Sequence, residues 1–228
     1  MPRTSANSIL NQLPAGQRKA LLASMEPVIL PVGEMLIRPG DAPTFAHFMT
    51  SGIASVVTYM KDGAAVEVGL IGREGIVEAM HLLGSASSPT TVFIQVAGTA
   101  LRMPFPEFAN ETFRSEPLLR LVLEFVQRHN FALTQLAACN GLHEIEERLA
   151  RWLLMVQDRL ESPKFELTQE FLAGMLGTRR TSVTLAAGSL QQSGFIEYRR
   201  GRIHILDRDG LRNAACECYP IVRKLIDT

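Results

Sequence analysis

The sequence predicts an α+β fold in which an antiparallel β-sheet domain, one long helix and a small helical domain follow one another. Glycine-containing turns recur about every ten residues between residues 28 and 103, a spacing typical of short antiparallel strands in a barrel or sandwich. An apolar stripe of helical period then runs from about Pro117 to Cys139. Beyond residue 141 we expect two short helices joined by a tight turn, followed by a hairpin.

The composition is that of a folded chain with one large domain or two modest ones. The 228 residues are 46% hydrophobic and 20% charged, with 23 basic and 23 acidic side chains, which excludes a disordered chain of high net charge. Met1 to Leu10 lack the apolar stretch of a signal peptide, and no apolar run reaches the ~20 residues that cross a bilayer. Three cysteines cannot all pair, which suits a reducing compartment. We therefore expect a cytoplasmic protein with no membrane partner.

The strand-rich part contains one strong hairpin signal. Asp62-Gly63 lies between the β-rich runs Val56 to Tyr59 and Val66 to Val68, and Asp-Gly is a favoured two-residue hairpin connection. We expect these runs to pair as antiparallel strands.

The long helix is predicted to end where Asn140-Gly141 breaks the helical pattern. An apolar surface as wide as this one forms either a helix-to-helix dimer seam or a face packed only on the chain's own barrel, and the residues leave both open. The candidate seam residues are Leu118, Val122, Phe125, Val126, His129 and Leu133.

Residues 167 to 206 carry the clearest functional signal. Thr168 can cap a first helix, a turn at Gly177 follows, and a second helix runs from Arg179 to Gln192, an arrangement typical of a helix-turn-helix. The first residues of the second helix in such a unit reach base edges in the DNA major groove. The base-reading candidates are Arg179, Arg180, Thr181, Ser182 and Thr184.

Positive charge is concentrated in the same segment. Between Gly177 and Arg202 five arginines accompany a single acid, Glu197, which leaves a local charge of +4 in a neutral chain. Arginine suits bidentate contacts with phosphates and guanine. The last three of these arginines fall at the tip of the predicted hairpin, which indicates a wing on the DNA backbone; the alternative is a solvated basic face. The backbone-contact candidates are Thr168, Arg199, Arg200 and Arg202.

These segments resemble the Crp/Fnr family of bacterial transcription regulators. The motifs are Leu167 to Glu170, Met175 to Gly177 and Gly194 to Ile196 in the winged helix, and Arg38 to Asp41 and Gly72 to Gly75 at β-roll turns. The resemblance implies a sensor β-roll of the double-stranded β-helix or jelly-roll type at 1–115, a dimerisation helix at 116–141 and a winged helix-turn-helix at 142–228. It also implies a homodimer on a palindromic operator, with RNA polymerase as a partner.

The recognition helix departs from the family pattern. Arg180 matches the family's base-reading arginine, but Thr181 stands where the family has Glu and Leu185 where it has a second Arg. Since Glu accepts from cytosine and Arg addresses guanine, we expect a different operator half-site.

The effector site departs as well. Cyclic-AMP-binding members hold the ribose with a Glu and the phosphate with an Arg-Ser pair, whereas here no Lys or Arg occurs between Arg73 and Arg102. A buried phosphate needs a cation or a cluster of backbone donors, so we expect no cyclic-AMP binding. An unknown small-molecule effector stays open. The candidate pocket residues are Glu78, Ala79, His81, Ser88, Thr90 and Thr91.

Metal and cofactor signals are weak. Met80-His81 lies where haem-containing members of the family carry a Met-His pair, but a lone His is more often structural, and no cysteine before Cys139 could hold the family's iron-sulfur cluster. Cys216-Glu217-Cys218, with His204 or Cys139, could supply zinc ligands, yet the one-residue spacing differs from the usual two to four. We therefore expect reduced structural cysteines, no metal and no cofactor.

Two functions remain at the level of the sequence. The first is a dimeric, sequence-specific transcription regulator, with or without an effector such as haem that gates DNA binding. The alternative is a sensor whose winged helix makes protein contacts. No catalytic motif occurs, and we expect no enzymatic activity.

Overall fold

The computed structural model describes residues 7–84 and 87–226. Within them the chain forms two compact units, one from residues up to 56, 70–131 and 226, the other from 57–69 and 132–225. This division falls inside the long helix, before the domain boundary expected at residue 141. We also expect no signal peptide in Met1 to Leu10. The first six of these residues lie outside the described part of the chain. No helix of the described ranges is long and apolar enough to span a bilayer.

The β-roll predicted for the N-terminal part is confirmed as an antiparallel sheet. Its central strands follow the order β1-β6-β3-β4, while β2 pairs with β6 and β5 with β3. The strands are β1 (Glu26–Leu30), β2 (Met35–Ile37), β3 (Phe45–Tyr59), β4 (Ala65–Ile71), β5 (Ile76–Val77) and β6 (Thr91–Pro104). The Asp62-Gly63 hairpin is also confirmed: it connects β3 to β4, with Gly63 at φ +85° and its N–H 3.0 Å from the Met60 carbonyl.

Helices accompany this sheet in the first unit. They are α1 (Ser8–Gln12), α2 (Ala15–Ala23), a 3₁₀ turn (Ala79–Leu83), α3 (Phe105–Arg114) and the first part of α4 (Glu116–Leu142). Asn7 ties α1 to the sheet, because its side-chain oxygen caps the N–H groups of Ile9 and Leu10 while its amide donates to the carbonyls of Met49 and Gly75 at 2.9 Å.

The long helix α4 continues past the break expected at Asn140-Gly141. The His143 N–H still bonds the Cys139 carbonyl at 3.1 Å, and a single interior glycine costs only about 1 kcal/mol relative to alanine. The helix stops instead before Glu144, which caps the next helix in a reciprocal pair with Glu147.

The residues of α4 predicted for a dimer seam differ in their burial. Leu118, Val122, Phe125 and Val126 are at most 7% exposed and belong to the core of the first unit, with His129 stacked on Phe125 at a centroid distance of 5.6 Å. These four side chains pack on the chain's own β-roll, whereas Leu133 is only partly buried, and the dimer seam stays a prediction. The hydrophobic side chains that α4 leaves exposed in the first unit include Leu123 at 43% and Phe131 at 52%.

The second unit contains the remaining elements. They are α5 (Ile145–Leu160), β7 (Lys164–Glu166), α6 (Gln169–Met175), α7 (Arg180–Gln192), β8 (Ile196–Arg199), β9 (Arg202–Ile205), α8 (Arg208–Ala214) and α9 (Cys218–Ile226). Helix α5 is central, because its residues Leu149, Trp152 and Leu153 are buried. The Trp152 indole donates a buried 2.7 Å hydrogen bond to Glu67 in the 57–69 segment of the same unit.

Candidate nucleic-acid interface

The predicted helix-turn-helix is formed by α6 and α7. The Thr168 hydroxyl accepts from the Phe171 N–H at 3.1 Å and caps α6. Gly177 makes the turn at φ +58°, in the left-handed region, where an added Cβ would also lie 3.0 Å from the Val66 side chain. Arg179 caps α7 rather than starting it, a shift of one residue from the expected boundary.

The two faces of α7 divide as its apolar period predicts. The inward face is buried and consists of Val183, Ala186, Ala187 and Leu190. The opposite face is exposed and consists of Arg180, Thr181, Thr184 and Leu185, while Ser182 is partly buried. The Thr184 hydroxyl lies 2.9 Å from the Gln169 side-chain oxygen and 3.0 Å from the Arg180 carbonyl. Thr184 thus links α7 to the first turn of α6, so this base-reading candidate also has a structural contact.

A buried arginine that sequence reasoning missed supports the turn. The guanidinium of Arg148, on α5, donates to the carbonyl of Leu176 at the end of α6. A cation at a helix C-terminus stabilises the unpaired carbonyls there. Its position could not be predicted, because Arg148 is 28 residues from its partner and occurs in an ordinary amphipathic pattern.

The basic hairpin is tied to the start of α6. Arg200 and Gly201 both have positive φ, +50° and +78°, as a two-residue type I′ turn requires. The Gly201 carbonyl accepts from the Leu167 N–H at 2.7 Å, and the Tyr198 hydroxyl donates to the Leu167 carbonyl at 2.7 Å. Burial raises the pKa of Tyr198 to about 12, although the nearby Arg180 cation acts in the opposite direction. The Tyr198 N–H also donates to the Gln191 side chain of α7 at 2.8 Å, so the wing is held to the recognition helix as well.

The arginines of this segment differ in their partners. Arg202 forms an exposed ion pair with Glu166 at 3.0 Å, so its charge is partly neutralised. The described residues place no ion pair on the other four, which are exposed: Arg179, Arg180, Arg199 and Arg200. The surface therefore offers four unpaired guanidinium groups at the start of α7 and on the wing.

The candidate effector residues fall into two local pairs. The carboxylate of Glu78 lies 3.2 Å from the His81 ring nitrogen, and the hydroxyls of Ser88 and Thr90 are 2.9 Å apart. Burial raises the pKa of Glu78 to about 7, whereas burial lowers the pKa of His81. Among the described residues, no Lys or Arg forms an ion pair with either of these pairs. Ala79 follows Glu78 in the sequence, Thr91 follows Thr90, and both are buried.

Another buried polar side chain of the β-roll was not predicted. His47, on β3 opposite Val77, is 5% exposed. Burial, with a smaller contribution from Arg102, lowers its pKa to about 4. Alternation could not have placed it inside, because the four consecutive residues from Ala46 to Met49 are all buried.

The three cysteines lie together in the second unit. Cys139, Cys216 and Cys218 are buried and form one cluster, and the nearby imidazole is that of His143. His204, considered as a ligand from the sequence, is instead on β9 opposite Glu197, because the strand register places it there.

Two family models match the chain. A cyclic nucleotide-binding domain matches residues 27–114 and a Crp-like helix-turn-helix domain matches residues 147–214. A search of curated proteins returned no match.

Solved structures with the same fold cover most of the chain. A Crp/Fnr-family putative transcriptional regulator from Eubacterium rectale is 17% identical with a TM-score of 0.72, covering 92% of this chain and 98% of that one. FixK2 from Bradyrhizobium japonicum is 14% identical with a TM-score of 0.71, over 84% and 98%. The c-di-GMP-responsive regulator CLP from Xanthomonas campestris is 16% identical with a TM-score of 0.69, over 84% and 99%.

Proposed function

The chain belongs to the Crp/Fnr family of transcription regulators, and we propose that it acts as a homodimer that binds a palindromic DNA operator. The observation that carries this proposal is the set of exposed, unpaired arginines on α7 and the wing. They present positive charge at two places that a major groove and its flanking phosphates would meet. RNA polymerase is the partner that the family implies for the DNA-bound dimer.

Base reading and backbone contact belong to different parts of this surface. Arg180 opens the exposed face of α7, where a guanidinium can take guanine O6 and N7 together. Arg199 and Arg200 are on the hairpin tip, where they contact phosphates and carry no sequence information. Thr168, at the N-terminus of α6, adds a second backbone contact.

Selection of bound duplexes from a random pool tests the DNA-binding part. Arg180→Ala should lose about 1–3 kcal/mol on the selected operator and relax the preference at one base position. Arg200→Ala should weaken selected and random duplexes alike and reduce the salt slope by about one.

The matched control is Arg212→Ala, which removes an exposed arginine of α8 that pairs with Asp209 and should leave both affinities unchanged. Equal losses of Arg180→Ala on selected and random DNA would contradict base reading. An absence of any selected duplex would favour a winged helix that contacts protein.

The exposed side of α4 is the dimer surface that we propose. Leu119, which is partly exposed, lies one turn before Leu123. Leu123 is 43% exposed and Phe131 is 52% exposed. Large apolar side chains along one helix face are typical of a helix-to-helix seam. Four of the seam residues predicted from the sequence are buried in the core of the first unit, so the proposal rests on the exposed side of α4.

Leu123→Glu tests that surface by sedimentation analysis. A buried charge in the seam should shift the protein to monomer and lower its affinity for a full operator, while a single half-site is still bound. Ile29→Glu is the control, since Ile29 is an 83% exposed apolar residue of β1. An unchanged dimer in Leu123→Glu, or a monomeric wild type that occupies both half-sites equally well, would refute the seam.

The effector of this protein, if it uses one, is not cyclic AMP. The pocket candidates supply a buried carboxyl with a raised pKa and two hydroxyls, a donor set that disfavours a phosphate dianion or monoanion. Thermal-shift measurements should show no stabilisation of the protein by cyclic AMP. A saturable shift with cyclic AMP would overturn this part of the proposal, whereas a Soret band in the purified protein would indicate bound haem as the effector.

A further inference from the structure

The end of α4 and the start of α9 bring four metal-ligating side chains to one point in the second unit. Cys139 and His143 are four residues apart, which places them on one side of the α4 terminus. Cys216 and Cys218 flank Glu217 where α9 begins. The four donor atoms all lie within 4.8 Å of one another.

The distances approach those of a tetrahedral site. Bond lengths of about 2.3 Å to sulfur and 2.0–2.1 Å to nitrogen put ligand atoms about 3.5–3.8 Å apart around Zn²⁺. The Sγ atoms of Cys139 and Cys216 are 3.4 Å apart, and Cys218 Sγ is 3.6 Å from His143 Nδ1. Small side-chain shifts would therefore complete the geometry.

Groups around the four side chains orient them. The Glu217 carboxylate lies 3.2 Å from His143 Nε2, so Nε2–H donates to it and Nδ1 keeps its lone pair toward the cysteines. A carboxylate behind a ligating histidine is a common second partner in zinc sites. The Gln135 amide also donates to Cys218 Sγ at 3.1 Å.

The charge around the cluster is complementary to a thiolate site. Arg148 and Arg151 are 9% and 3% exposed, and both interact electrostatically with Cys139 and Cys216. No carboxylate among the described residues pairs with either guanidinium, and a buried cation is costly without an anion. Three thiolates and one imidazole around Zn²⁺ carry a net charge of −1, which would compensate one of these two buried positive charges.

We propose that a tetrahedral Zn²⁺ site joins the end of α4 to the start of α9, with four ligands: Cys139, His143, Cys216 and Cys218. Sulfur and imidazole donors in a closed tetrahedral set favour Zn²⁺ over oxygen-seeking cations. With four protein ligands the site has no open position and is structural. It fixes the end of α4 to the start of α9, independently of whether the protein binds an operator.

The metal content of full-length, untagged protein purified under reducing conditions without chelators is the first test. About one zinc per chain is expected, and Co²⁺ exchanged into the site should show the intense d–d bands of a tetrahedral, thiolate-bound ion. Metal-free protein, iron with acid-labile sulfide, or a Cys139–Cys216 disulfide under these conditions would each overturn the proposal.

Matched variants assign the ligands. Cys218→Ser and His143→Gln should lose zinc to a chelator that leaves the wild type loaded, and their melting temperatures should fall by several degrees. His204→Gln is the control and should keep its zinc. Retention of zinc by His143→Gln at wild-type affinity would contradict the assignment.

Glu217→Gln provides a readout that survives if the ligand variants fail to fold. It keeps all four ligands but weakens the support of His143, so zinc affinity measured by chelator competition should fall about 10- to 100-fold. Glu197→Gln, which changes an exposed side chain of β8, is its control. An unchanged affinity in Glu217→Gln would refute the orientation inferred for His143.

Discussion

Two groups of arginines in the second unit differ in what surrounds their charge. Four of them, on α7 and the wing, are exposed and have no ion pair among the described residues: Arg179, Arg180, Arg199 and Arg200. Arg148 and Arg151, on α5, are buried and have no carboxylate partner in the described chain. Water compensates an exposed guanidinium, whereas a buried one costs several kcal/mol without an anion beside it.

Neither group of arginines has a carboxylate partner within the described ranges, but the anion that compensates the charge differs between the two groups. For the exposed group the anion comes from outside, as the phosphates of DNA. For the buried group it has to be inside the protein, and the nearby groups that can supply it are the thiols of Cys139 and Cys216. The following predictions test this difference.

The largest effect is expected for Arg151→Met. This change removes a buried guanidinium that interacts with both Cys139 and Cys216 and that donates to Met155 Sδ. Breaking such a buried charge pair should lower the free energy of unfolding by about 3–5 kcal/mol in urea titrations. Arg179→Met, from the exposed group, should change it by less than about 0.5 kcal/mol. If Arg151→Met were neutral or stabilising, the cysteines would be uncharged and the comparison would fail.

A buried carboxyl contrasts with a buried guanidinium, because it can give up its charge. Burial raises the pKa of Glu78 from 4.5 to about 7, so the folded wild type holds a proton that the unfolded chain releases, and its stability falls as the pH rises from about 4.5 to 7. Glu78→Gln does not titrate. Its stability relative to wild type should grow across this interval, by up to about 3 kcal/mol, and stay constant above it.

Urea titrations at several pH values measure that difference. His47, whose pKa is lowered to about 4, changes both proteins equally and cancels, whereas His81 lies 3.2 Å from Glu78 and reduces the effect where it is protonated. Glu111→Gln, an exposed carboxyl on α3, should show no such trend. A difference that shrinks with rising pH would contradict the raised pKa.

Local patterns in the sequence sufficed to predict the helix-turn-helix, the faces of α7 and both hairpins. Each depends on a period or a turn within a few residues, such as Asp62-Gly63. The covered side of α4 could not be predicted, since an apolar stripe looks the same whether its cover is the chain's own β-roll or a second copy. The fourth member of the cysteine cluster, His143, was missed because Cys216 and Cys218 are more than 70 residues away from it in the sequence.

A smaller effect is expected for Leu185→Ala. Leu185 is 76% exposed on the face of α7 that also carries Thr181, and it stands where the family has a base-reading arginine. An exposed leucine there can contact a thymine methyl group. Its loss should weaken the selected operator by about 1 kcal/mol, close to fivefold, with little change on random DNA.

A control variant and a second DNA selection separate base reading by Leu185 from a general loss of binding. Leu206→Ala, which removes a 55% exposed leucine after β9, is the matched control and should leave operator affinity unchanged. Operators selected by Leu185→Ala should lose a thymine preference at one position. Equal losses on operator and random duplexes would indicate that Leu185 reads no base.

The smallest effect concerns an exposed arginine that does have a partner. Arg202 pairs with Glu166 at 3.0 Å, and both side chains are at least 75% exposed, so the pair contributes at most about 1 kcal/mol to folding. Glu166→Gln removes the acid that competes with phosphate for Arg202. Affinity for random duplexes should therefore rise slightly and its salt dependence should steepen, because Arg202 would displace about one more counterion. The double variant Glu166→Gln/Arg202→Ala separates the release of Arg202 from a general change in charge. If the double variant still binds random DNA more tightly than Arg202→Ala alone, and by the same factor, Glu166 acts through overall repulsion of DNA and not by pairing with Arg202.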